Sequence, residues 1–237
     1  MAYLLGTAFT LWMAVECVRR GQASPWLWVI LVFPAIGPAV YFLAEVLPTG
    51  FRARGPRRAS GREIARLQSE VRRLDNSEAW TDYAHALRSR KRYVAAREAA
   101  ETATLRDAKS LRARYELGLA QMGCEEWAEA ASSLAAVVEE APGHDSGEAR
   151  YALGVAYEKS GDKERALRTL ESLARTTSLP KVLFQLASLQ TESGAKDAAR
   201  ESLQRIIDES AYVPSYHERE VRPWVRKAKK ALSALEA

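Results

Sequence analysis

The chain has 237 residues, 47% of them hydrophobic and 27% charged, with a net charge of +5 at neutral pH. That excess is local: residues 51–75 hold eight arginines against Glu63, Glu70 and Asp75, and the rest of the chain balances. The basic tract lacks the interleaved aromatics of a nucleic-acid binder, and two cysteines, Cys17 and Cys124, with no Cys-x-x-Cys pair offer no zinc site of the usual spacing.

Residues 3–18 and 26–47 are apolar, with Glu16 and Glu45 as their ionisable residues. At about 1.5 Å per residue, Trp26 to Leu47 is long enough to cross a hydrocarbon core of about 30 Å. Tyr3 to Val18 is shorter and needs local thinning of the bilayer. Arg19 and Arg20 follow the first run and no small-residue cleavage site appears, which favours a retained segment over a cleaved signal peptide. The short connection from Arg19 to Pro25 makes residues 1–48 a transmembrane helical hairpin. Pro34, Gly37 and Pro38 interrupt the second helix, so the first is the neighbour expected to satisfy the freed carbonyls. Through Trp28, Pro34, Gly37, Pro38 and Tyr41, this region resembles the two-helix amino-terminal part of cardiolipin synthases and related phospholipase D proteins, where such a hairpin is an anchor.

Residues 49–61 read as a basic flexible linker, punctuated by Gly55, Pro56 and Gly61. Arg52, Arg54, Arg57, Arg58 and Arg62 lie close to the second apolar segment and outweigh Arg19 and Arg20. The positive-inside rule therefore places both termini and everything after the hairpin in the cytoplasm, as a two-pass protein of the inner or plasma membrane, with the arginines against anionic lipid. In residues 62–76, Ile64, Leu67, Val71 and Leu74 form an apolar seam too short for a coiled coil and suited to a capping helix.

Between residues 77 and 213 a pattern repeats. Ala96, Ala130, Ala166 and Ala199 recur at spacings of 34, 36 and 33 residues. Thirteen residues before each stands Tyr83-Ala84, Leu117-Gly118, Leu153-Gly154 or Leu186-Ala187, and Leu134, Leu170 and Leu203 follow the last three by four. Pro142, Pro180 and Pro214 fall near copy ends, and turns are expected at Ser160-Gly161-Asp162 and Ser193-Gly194-Ala195. The second copy has its Gly123 two positions early, and the first has no turn glycine. This is similar to the tetratricopeptide repeat (TPR), whose helical hairpins must stack to bury their apolar faces. Within residues 214–237, Pro223 is expected to open a final capping helix with Trp224, Ala228, Leu232 and Leu235 inward and Arg226, Lys227, Lys229 and Lys230 mainly outward. That basic side could also meet the membrane or an acidic partner. The fold class is thus all-α: a transmembrane hairpin, then a TPR-like α-solenoid of four repeats with a C-terminal capping helix.

No enzyme is expected. The cardiolipin synthase resemblance would need a His-x-Lys motif, and His85-Ala86-Leu87, His144-Asp145-Ser146 and His217-Glu218-Arg219 do not supply it. No Walker loop or Gly-x-Ser-x-Gly elbow is present, and no cofactor or metal is implied. The TPR resemblance instead implies a concave groove lined by the first helix of each copy. Thr81 and His85, Tyr115 and Leu119, Tyr151 and Val155, and Phe184 and Ser188 map onto it, with Met122 and Glu158 one turn later. Three aromatics in register suit a peptide or helix, or else pack between helices as core. The family's Lys and Asn clamp for carboxyl-terminal peptides is missing. The reading is a membrane-anchored scaffold or adaptor for a protein or peptide partner. The alternative is an accessory subunit of a lipid-processing or envelope-assembly complex whose hairpin makes the specific contacts. A lipid-modifying enzyme is a distant third.

Overall fold

The computed structural model describes residues 58–142, 144–214 and 217–236. The expected transmembrane hairpin, most of the linker, and Arg52, Arg54 and Arg57 lie outside the described residues. Arg58–Ala237 form one compact unit. Ten α-helices and one 3₁₀ turn, with no strand among the described residues, make an all-α solenoid. No helix among them is long and apolar enough to cross a membrane.

Helix α1, Gly61–Leu74, precedes four hairpins: α2 (Ser77–Ser89) with α3 (Tyr93–Arg106), α4 (Leu111–Gly123) with α5 (Trp127–Glu140), α6 (Glu148–Lys159) with α7 (Lys163–Ala174), and α8 (Pro180–Glu192) with α9 (Lys196–Ser210). Helix α10, Glu218–Glu236, follows, and the 3₁₀ turn His144–Gly147 leads into α6.

The helices begin where local chemistry satisfies their first N–H groups. At α1, the Ser60 hydroxyl accepts from the Glu63 N–H (3.1 Å) and the Glu63 carboxylate accepts from the Ser60 N–H (3.3 Å), a reciprocal capping box. Asn76, Ser110 and Asp162 cap α2, α4 and α7 in the same sense. Pro180, expected near the end of a copy, opens α8 instead, where its missing N–H needs no partner and its φ is already helical.

Four identical turns define the repeat. The N–H groups of Arg92, Glu126, Asp162 and Ala195 donate to the carbonyls of Leu87, Gln121, Tyr157 and Gln190, at 2.8–3.0 Å. The residue before each donor is left-handed: Lys91 (φ 60°), Glu125 (63°), Gly161 (89°) and Gly194 (83°). The first two copies thus make this turn without glycine. Gly123 is the last residue of α4, and a Cβ there would run into the Tyr93 ring of the preceding copy. Its small size serves contact between repeats.

Inside each hairpin the helices meet at small residues. Ala96, Ala130, Ala166 and Ala199 are fully buried. A Cβ on Gly118 would lie 2.6 Å from Leu134 Cγ, and one on Gly154 would lie 2.7 Å from Leu170 Cγ. One polar contact also recurs in register with the repeat. The Ser133 hydroxyl donates to Gln121 Oε1 and the Ser202 hydroxyl to Gln190 Oε1, both at 2.8 Å, joining first and second helices in copies two and four.

Both ends are covered. On α1, Leu67 and Val71 are buried and Ile64 is partly buried against the first hairpin, whereas Leu74 is exposed. Ala59, at the end of the expected flexible linker, is buried and donates its N–H to Ser89 Oγ (3.1 Å). At the other end Ala228 is fully buried, and Trp224, Leu232 and Leu235 lie on the core made by α7, α8 and α9. Helix α10 starts before Pro223, which sits inside it rather than at its first position.

Candidate functional site

The first helices α2, α4, α6 and α8 form one layer, and the expected groove residues lie on it. Thr81 is buried, and its hydroxyl donates to the Ser77 carbonyl (2.7 Å). It is part of the fold rather than an open contact point. His85 is exposed, with its Nδ1 2.9 Å from Glu116 Oε1. Ser188 is half-buried and donates its hydroxyl to the Phe184 carbonyl (3.0 Å). Val155 is half-buried on the same layer.

Each of the three rings is half-buried and leans on the next element of the stack. Tyr115, with Leu119 and Met122, rests on the core shared by α5 and α6, and its ring meets His144 edge-on at 5.1 Å. His144 therefore packs against a ring rather than standing in a solvated loop. Tyr151 rests on the core of the following copies, and Lys181 Nζ stands 4.8 Å from its ring centroid. Burial, together with Glu148 and Glu158, pushes its phenol upward. Phe184 tilts against Trp224 of α10 at 5.8 Å. The rings occupy corresponding positions on α4, α6 and α8, and each is partly buried against the core between copies.

Charges join the same layer. Arg88 donates to both oxygens of Glu116 (2.7 and 3.0 Å), whose side chain is only 7% exposed. Burial acts to raise the Glu116 carboxyl, but the bonds from His85 and Arg88 outweigh it and hold the group below its ordinary range. Arg112 pairs with Asp82 at 2.5 Å, Lys181 with Glu148 at 2.6 Å, and the Gln185 amide donates to Glu158. Residue-type reading missed Glu116, Arg88, Lys181 and Gln185. The available signal was Glu116 itself, a carboxylate between Tyr115 and Leu117 on an apolar stripe.

Of the membrane-proximal arginines, Arg58 and Arg62 are exposed. Cys124 is a free thiol capping α4, pushed upward by burial and by Glu126. Among the described residues no group of His, Cys, Asp or Glu is placed to hold a metal ion.

A shallow cleft of about 310 Å³ opens between α8 and α10, with Phe184 and Ser188 on its wall. A second, polar depression of about 250 Å³ lies near Thr81 and Arg112.

Comparison with solved structures gives the same architecture. MamA residues 41 to the end, from Desulfovibrio magneticus RS-1, superpose with a TM-score of 0.61 at 18% identity, over 65% of this chain and 87% of that one. YrrB, described as a TPR protein with an unusual peptide-binding site, gives 0.52 at 16% identity, over 71% and 91%. At such identities the likeness concerns the fold. Comparison with curated proteins gives no match. Two family models described as tetratricopeptide repeat do match, one at residues 119–178 and the other at 81–145 and 151–214. The second spans more than half of the sequence, and its two stretches take in the greater part of all four hairpins with the common turn of each, so the chain belongs to the tetratricopeptide repeat family.

Proposed function

We propose that this protein is a non-catalytic scaffold that holds a protein or peptide partner on its first-helix layer, tethered to the cytoplasmic face of a membrane by residues 1–48. The row of half-buried rings Tyr115, Tyr151 and Phe184 carries the reading. Each presents an aromatic ring, two of them with a phenol, at the same position of successive copies, a spacing suited to an extended or helical peptide. The peptide-binding site named for YrrB lends the reading a parallel within the fold. The apolar stretches before residue 48 and the arginines after them support the tether.

The test is co-purification of partners on the full-length chain from gently solubilised membranes, with the parent beside a Tyr115→Leu, Tyr151→Leu variant. Leucine retains apolar contact with the next copy and removes the ring. Buried aromatic anchors commonly contribute about 2 kcal/mol or more, so capture should fall about thirtyfold while helicity is retained. Undiminished capture rules out the rings as anchors.

A further inference from the structure

We infer that the cleft between α8 and α10 receives an acidic peptide bearing aliphatic side chains, an inference that rests on the scaffold reading and gives the partner a chemistry. The cleft floor is apolar and made low by small residues: Ala187 on α8, Ala231 and Ala234 on α10, and Leu203 beneath. Its volume of about 310 Å³ reaches the lower end of pockets that take ligands, about 300–1,000 Å³. The polar groups on its wall are Ser188 and Thr191. Both hydroxyl protons are already donated, to the Phe184 and Ala187 carbonyls, at 3.0 and 2.8 Å. The two oxygens can therefore only accept, which suits the N–H groups of a peptide.

The rim supplies the sign of the charge. From Arg222 to Lys230, α10 carries five cations and no acid. Arg222 pairs with Glu218, and Lys227 Nζ stands 4.4 Å from the Trp224 ring and 5.8 Å from the Phe184 ring that walls the cleft. Lys227 and Lys230 are exposed and lie four residues before Ala231 and Ala234, on the stripe that lines the cleft. A carboxylate following an apolar side chain into the cleft meets these two ammonium groups. A lipid surface fits less well, because the apolar face of α10 is already turned onto the repeats through Trp224, Ala228 and Leu232.

The test uses the full-length chain in mild non-ionic detergent and fluorescence anisotropy with two labelled twelve-residue probes. One alternates leucine with glutamate and the other leucine with lysine, so the apolar content is the same. The Leu/Glu probe should bind the parent and the Leu/Lys probe should not. Lys227→Glu with Lys230→Glu should weaken the Leu/Glu probe tenfold or more and confer binding of the Leu/Lys probe. Ala234→Trp, filling the cleft from an exposed position, should abolish binding of the Leu/Glu probe. Circular dichroism checks that helicity is retained. Equal binding of the two probes, indifference to charge reversal, or no binding of either overturns the inference. If Tyr151→Leu weakens the Leu/Glu probe while the α10 variants do not, the cleft inference falls and the groove reading stands. Should phosphatidylglycerol micelles, and neither probe, perturb α10 in the parent but not in the charge-reversed chain, the cations belong to a lipid surface and the inference is overturned.

Discussion

Gly154→Ala separates two opposing effects of one methyl group. In an exposed helix interior, alanine is favoured over glycine by about 0.5–1 kcal/mol, because glycine loses more backbone freedom on folding. At position 154 the added Cβ would lie 2.7 Å from both Cγ and Cδ2 of Leu170, and Leu170 is fully buried, with no route into solvent. Overpacking of this kind typically costs about 1–3 kcal/mol, so the net should be a loss of about 0.5–2 kcal/mol. For a unit of this size that lowers the melting temperature by about 1–8 °C. Leu170→Ala alone should lose about 2–5 kcal/mol through its cavity.

The informative measurement is the same substitution in the Leu170→Ala background. There the obstruction is gone, so Gly154→Ala should become neutral or stabilising by up to about 1 kcal/mol, a reversal of sign. Urea unfolding of residues 58–237 followed by helical circular dichroism gives all four corners of the cycle. An equal effect in the two backgrounds would show that α6 and α7 do not meet at this pair, and the alignment of Leu153-Gly154 with Leu117-Gly118 would fall with it.

Further outcomes are expected. Residues 58–237, one compact unit, should fold without the preceding segment and give a strongly helical spectrum. Glu125→Gly, at φ 63°, should stabilise by about 0.5–1 kcal/mol, since a left-handed residue with a side chain costs about 1–2 kcal/mol and glycine returns part of that as lost entropy. Glu116 is held below the ordinary carboxylate range in the fold, so its contribution is complete above about pH 4.3 and is lost as pH falls through the lower folded value. Glu116→Gln should accordingly be less stable at neutral pH, with its unfolding curve converging on the parent's in acid. A phosphatase fused to the carboxyl terminus should be inactive if the repeats face the cytoplasm, and an active fusion would refute that orientation.

Copies three and four could be read because their chemistry is concentrated: a glycine at each turn, and Leu-Gly or Leu-Ala opposite a leucine. The first copy was obscure for a physical reason. Its turn has the same hydrogen bond and left-handed residue, but Lys91 fills the position, and the 6→1 bond from Arg92 to Leu87 is carried by backbone that leaves no residue signature. Gly123 misled in the opposite way, since a glycine beside a turn signals the turn by default, whereas here it clears space for Tyr93. Pro180 marks the first residue of α8, at a start rather than an end, whereas Pro223 lies inside α10. The ring positions were legible, but not how each shares its surface with the next copy, because a period of 34 says which residues correspond and nothing of how far one copy overlaps another.

Charge adds what periodicity cannot, a distinct identity for each copy. From Tyr115 to Ala149 there is no lysine or arginine against eight acids, so acids in this stretch must find cations outside it. They do: Glu116 takes Arg88, Glu126 takes Arg97, Glu140 takes Arg114 at the edge of the run, and Glu148 takes Lys181. Apart from the buried Glu116 pair, such surface pairs contribute only about 0–1 kcal/mol each, and salt weakens them, so they are a poor account of why the solenoid is stable. Their consequence is order. The apolar contacts at Gly118 and Gly154 are alike and would let one copy stand in for another. Exchanging the second copy with the third would bring Glu148 to the place of Arg112, opposite Asp82, and Arg112 to the place of Glu148, opposite Lys181, and mismatched charge discriminates more than matched charge attracts. In this chain hydrophobic spacing builds the hairpins, and the uneven charge tells each hairpin which neighbour it belongs beside.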